Sequence, residues 1–196
     1  MEQLDTSKLL DNIVNRVIRA AKLDVELYEE VEADETLTAQ AIAVVVITAI
    51  AGGIGAALGA IIMGGGVGGF FLGLIVTPIL AVILYFIWAA LTYLVGTRLF
   101  QGTADYGEML RAIGYSYCPQ VLSILSFIPC VGAIFSVVGA IWSLVAGVIA
   151  VRQALDFDTT KAVITCIIGW VVMLVINLIF GAVLGLGGMF ALGGLR

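Results

Sequence analysis

The stretch Met109 to Val151, MLRAIGYSYCPQVLSILSFIPCVGAIFSVVGAIWSLVAGVIAV, decides the fold. Its 43 residues hold a single charged side chain, Arg111, close to the start. As one α-helix it would run roughly 64 Å, about twice the ~30 Å hydrocarbon core of a bilayer. The segment is therefore expected to cross twice and to turn within itself. The turn belongs at Phe127-Ile128-Pro129, because a residue that precedes proline avoids the α region. This gives one span near 109–127 and another near 130–151.

The same pattern extends outward. Residues 41–186 contain eight charged side chains, all at segment junctions. The whole chain is 62% hydrophobic and 12% charged, against about 25% charged for an average soluble domain. A ~200-residue soluble core cannot bury that apolar excess, so lipid must cover it. Upstream, a first span is expected near 39–63 and a second near 70–95. Between them, Gly64-Gly65-Gly66-Val67-Gly68-Gly69 strongly disfavours a continuous helix. Gly96 to Ala104 reads as a loop, and Asp105 with Glu108 as the N-cap of the next span. Downstream, Arg152 to Lys161 is polar, with Asp158 as N-cap of a fifth span near 159–186. The expected fold is an all-α polytopic membrane protein of five transmembrane helices. The spans occupy 39–196, and 1–38 forms an N-terminal amphipathic segment on the cytosolic side. The first apolar run follows a charged region without a clear cleavage site, so it reads as a retained span.

Basic residues orient the bundle. With the N-terminus inside, eight of the nine Lys and Arg residues face the cytosol, and Arg196 alone lies outside with the C-terminus. Residues 4–33 carry Leu10, Val14, Val17, Ala21, Val25 and Tyr28 on one face of a helix, with a break near Leu23. That face would lie on the membrane or dock on the protein's own bundle. Ten of fourteen carboxylates fall between Glu2 and Glu35. Such an acidic flank argues against nucleic acid as a partner.

The side chains that carry chemistry are few. The chain has no histidine, which excludes Ser–His and Cys–His dyads and His-ligated metals. No P-loop lysine follows the glycines, and Cys118, Cys130 and Cys166 show no CxxC spacing. No catalytic residue, metal site or cofactor is expected. Trp88, Trp142 and Trp170 each lie nine or ten residues from a basic boundary residue, as does Gln120. At ~1.5 Å per residue they would form a layer near mid-depth. Tyr115 and Pro119 belong to the same stretch, where Pro119 kinks the third span. This layer reads either as large packing residues or as a ligand or lipid pocket. Small residues at four-residue spacing, Gly55 and Gly59 in the first span and Gly139, Ser143 and Gly147 in the fourth, allow close helix approach within one chain or between chains.

These residues carry a resemblance. Gly114-Tyr115-Ser116-Tyr117 with Pro119, then Ile128-Pro129 and Gly132, then Trp142 and a loop from Arg152, resemble the YIP family of Ypt/Rab-interacting membrane proteins. Tyr28-Glu29-Glu30-Val31-Glu32-Ala33-Asp34 with Gln40-Ala41 is similar to prokaryotic members. The resemblance covers about residues 22–180 and implies a five-helix bundle with a cytosolic N-terminus. Eukaryotic members act in vesicle trafficking and bind prenylated small GTPases. Gly102-Thr103-Ala104-Asp105-Tyr106-Gly107 departs from the eukaryotic signature, so GTPase binding is not carried over. The expected protein is a non-enzymatic scaffold, membrane-organising protein or accessory subunit in a prokaryotic cytoplasmic membrane. Its partners would be the bilayer and other proteins or further copies of itself. The alternative is a small-molecule or lipid transporter using the kinked third span.

Overall fold

In a computed structural model, which describes residues 6–193, every regular element is helical. Helices α1 (Thr6–Ala21) and α2 (Val25–Ala33) form the N-terminal segment. The break falls at Leu23, whose φ of 62° ends α1. Asp24 then caps α2 by accepting from the Glu26 amide at 3.1 Å. A 3-10 turn at Glu35–Leu37 leads into α3 (Thr38–Ile62). Next come α4 (Gly66–Phe71), a π-helical turn at Leu72–Val76 and α5 (Thr77–Phe100). They are followed by α6 (Tyr106–Ser116), a 3-10 segment at Cys118–Phe127, α7 (Val131–Ala154) and α8 (Thr159–Gly193). Arg196, and the side chains of Lys8 and Leu10, lie outside the described residues.

Among the described residues, four helical stretches are long and apolar enough to cross a bilayer: Glu35–Ile62, Gly66–Phe100, Val131–Ala154 and Thr159–Ile176. The chain is a multi-pass membrane protein. The segment expected as one kinked span at 109–127 is instead two short helices of different type, α6 and the 3-10 segment. Pro119 sits in the first turn of the 3-10 segment, where its missing N–H costs least.

Two boundaries differ from the sequence expectation. The glycine run breaks the chain only at Met63–Gly65, and Gly66 to Gly69 are already helical. One left-handed turn at Gly64 and Gly66, with φ of 78° and 62°, is enough to reverse direction. The second helix also runs on to Phe100 rather than ending at Val95. Gly96 is helical and buried, and a Cβ there would strike the Leu155 side chain. Gln101, in the left-handed region at φ 60°, ends the helix, and the Gly102 amide returns to the Gly96 carbonyl at 3.1 Å.

The helices form a ring. α3 packs on α5, α5 on α8, α8 on α7, and α7 on the 3-10 segment, which returns to α3. The two ends of the ring differ. At the charged end, Leu27, Tyr28 and Val31 of α2 are fully buried with Tyr85, Met109, Tyr115, Val151 and Leu155. Burying each of the three α2 side chains contributes roughly 1.5–3 kcal/mol, which holds α2 on the bundle. Towards the other end most large side chains point outward, including Ile47, Ile61 and Met63 of α3, Phe71 and Ile75, and Ile134 and Ile141 of α7. That outward apolar band is the surface lipid covers.

Candidate functional site

Two features stand out: a polar cap that ties the charged end together, and a cavity inside the ring. The cap is built on Arg111, in the middle of α6 and only 4% exposed. Its Nε donates to the carbonyls of Val31 at 3.0 Å and Glu32 at 3.1 Å, and Nη2 donates to Glu32 as well. These are the last carbonyls of α2, which lack intrahelical partners, and a cation there also meets the negative end of the helix dipole. Around this point Arg19 donates to Asp24 and Glu30, at 2.7 and 2.6 Å, and Arg16 to Glu30 at 3.0 Å. The Arg19 guanidinium holds the Asp24 carboxyl below its ordinary value. Gln40 accepts from Tyr115 at 3.1 Å and from Arg16 at 3.3 Å, linking α3, α6 and α1. Gln153 donates to Glu29 at 2.7 Å, and Thr103 to Asp156 at 2.8 Å, so both polar loops join the same surface. Burial, with Asp156, Glu108 and Glu29 nearby, pushes the Glu32 carboxyl up to about 7 against the pull of Arg111.

The cavity, of about 500 Å³, is walled by α3, α5, α6 with the 3-10 segment, α7 and α8. Trp88, Gln120 and Trp170 line it, together with Tyr117, Thr48 and Ser143. The hydroxyls of Thr48, Ser116 and Ser123 are satisfied by the carbonyls of Val45, Ile113 and Gln120. The Ser143 hydroxyl is buried and unpartnered. Among the described residues the Gln120 side-chain amide, the Tyr117 hydroxyl and the indole N–H groups of Trp88 and Trp170 also make no hydrogen bond. The cavity is not sealed, since Trp170 and Ala140 line it and are also exposed.

The structure divides the six residues of the expected layer. Trp88, Gln120 and Trp170 share the cavity. Tyr115 faces the other way, to Gln40. Pro119 is buried against α7, where a Cβ on Gly139 would lie 2.9 Å from its carbonyl. Trp142 leaves the group altogether, its Nε1 donating to the Ala21 carbonyl at the end of α1 at 2.9 Å. Its depth, reckoned from Arg152, ignored that α7 continues as a buried helix beneath α2. The small residues meet the 3-10 segment from two sides. A Cβ on Gly55 would come 2.5 Å from the Ser123 carbonyl, and one on Gly59 3.5 Å from Phe127, while Gly139 approaches from α7. Gly147 faces Ser116 more loosely at 3.7 Å.

Sequence reasoning missed Arg111 and Glu32. Arg111 counted only as a boundary charge. The available signal was its place six residues after the Asp105 cap, deeper into a helix than a boundary residue needs to be.

A family model described as Yip1 domain matches residues 25–194. No curated protein and no solved structure matches.

Proposed function

The chain belongs to the Yip1 domain family, and from that premise we propose that it is a non-enzymatic scaffold of a prokaryotic cytoplasmic membrane. It crosses five times, the fifth crossing being α6 and the 3-10 segment in series. At ~1.5 Å per residue for the 11 residues of one and ~2.0 Å for the 10 of the other, the pair reaches about 36 Å. The N-terminus and the charged end face the cytosol, following the basic residues.

The observation that carries this reading is the cap. Arg111, Gln40, Gln153 and Thr103 bind α1, α2 and both polar loops into one surface on top of a lipid-covered ring. A surface fixed this way is suited to holding a protein partner or a second copy of the chain. It presents exposed carboxylates, Glu26, Glu29, Glu30 and Glu35, which suit a basic partner.

Native mass spectrometry of the protein extracted gently from its own membrane tests the reading. A fixed complex is expected, and Glu26→Arg with Glu35→Arg should dissolve it without disturbing the fold. A chain that always emerges alone, or a complex indifferent to both charge reversals, sinks the proposal.

A further inference from the structure

We propose that the cavity is a binding site for one uncharged lipid bearing an ester carbonyl, entering from the bilayer past Trp170. The proposal does not depend on the scaffold reading, since it concerns the interior of the ring and not the cap.

Size comes first. About 500 Å³ lies within the 300–1,000 Å³ range of small-molecule sites. The walls come from all five lipid-facing segments, so an occupant touches every one of them. Chemistry narrows the class. Among the described residues no Asp, Glu, Lys or Arg lines the cavity, so a charged headgroup inside would be uncompensated. Every one of the unpartnered groups, the Ser143 hydroxyl included, can donate a hydrogen bond. The Trp88 indole N–H can only donate, and the Gln120 amide and Tyr117 hydroxyl donate as readily as they accept. An ester carbonyl supplies the acceptor they lack, and acyl chain satisfies the apolar walls at Ala49, Ala81 and Leu84.

Access comes from the side. Trp170 lines the cavity and is 56% exposed, and Ala140 on α7 is likewise both lining and exposed. The opening therefore lies among the lipid-facing side chains of α7 and α8. The Trp88 ring is wedged over α8, with its Cζ3 3.0 Å from where a Gly169 Cβ would lie. It reports on the interior, whereas Trp170 reports on the doorway.

The test uses Trp88 as the only fluorophore, in a Trp142→Phe, Trp170→Phe background of the full chain in detergent. The probe is a diacylglycerol with brominated acyl chains, which quench tryptophan on contact. Saturable quenching at one lipid per chain is expected, with the same stoichiometry for the unmodified chain by native mass spectrometry. Ala81→Phe, which fills the cavity, should abolish saturation. Gln120→Leu should weaken binding about fivefold, the factor for one lost neutral hydrogen bond. Phosphatidylcholine with the same brominated chains should bind at least tenfold more weakly. Quenching that rises linearly, without saturation, overturns the site. Equal affinity for phosphatidylcholine overturns the uncharged class, and an unchanged Gln120→Leu overturns the polar recognition. Should Ala81→Phe fail to fold, the Gln120→Leu and lipid-class comparisons decide alone.

Discussion

Arg111 is almost fully buried, yet among the described residues it forms no ion pair within 4.0 Å; its guanidinium donates to the Val31 and Glu32 carbonyls and to the Thr38 hydroxyl. Removing it strands the ends of α2 inside the protein. Arg111→Leu should lower stability by about 3 kcal/mol, because hydrogen bonds from charged donors are each worth about 1.5–3 kcal/mol and two acceptors lose theirs. Lysine keeps the charge but not the fork, so Arg111→Lys should recover only part. Thermal unfolding in detergent measures the loss, and amide exchange over 25–33 should show α2 opening first. Glu32 gives the cap a pH dependence. Its carboxyl is raised to about 7 when folded, above an unfolded value near 4.5, so the folded state holds the extra proton between the two. Stability should therefore be full below pH ~4.5 and fall as pH rises through 7. Glu32→Gln should flatten that slope and be the more stable form at pH 8. A slope unchanged by the substitution would show that another group sets it.

Among the elements, the 3-10 segment depends most on its neighbours. Its carbonyls press on glycines of α3 and α7: Ser123 and Ile124 on Gly55, Leu125 and Ser126 on Gly132, and Pro119 on Gly139. Weak Cα–H···O contacts suit such an approach, and no larger residue permits it. Gly55→Ala should cost at least ~2 kcal/mol because backbone, not a flexible side chain, stands in the way. Gly68→Ala, a helical position with open space around it, should instead stabilise by about 0.5–1 kcal/mol. Chemical denaturation of the two variants side by side separates packing glycines from incidental ones. This contrast was half legible in the sequence. The four-residue spacing marks Gly55, Gly59 and Gly139, and Pro119 marks a disturbed helix. That the disturbance becomes ten residues of 3-10 helix was not legible, because the carbonyl contacts that hold it come from residues far along the chain. The same holds for Gly96, which reads as a loop residue until Leu155 is seen against it.

For the molecule as a whole, four apolar segments long enough to span were legible because the cost of burying charge in lipid confines charge to their ends, although the second runs on to Phe100. The cap was legible only in part: the apolar face that includes Tyr28 allows α2 to dock on the bundle, but nothing in the sequence places the Arg111 side chain on the carbonyls of Val31 and Glu32. The proposed orientation has a simple check. Cys130 is exposed at the end of the ring opposite the cap, whereas Cys118 and Cys166 are buried. A maleimide that cannot cross membranes should label Cys130 on intact cells and leave the other two untouched. With Cys130→Ala, a Gln101→Cys variant should label only after permeabilisation. The reverse pattern would invert the molecule.

The hydrogen bond from Trp142 to the Ala21 carbonyl has a practical consequence. It makes the junction of α1 and α2 optically visible. If the N-terminal pair lifts away, that indole exchanges a backbone acceptor for whatever surrounds it, and its emission shifts. With Trp88 and Trp170 replaced by phenylalanine, the unlabelled protein becomes its own gauge of whether the cap is closed, readable after reconstitution into lipid vesicles and as a function of pH.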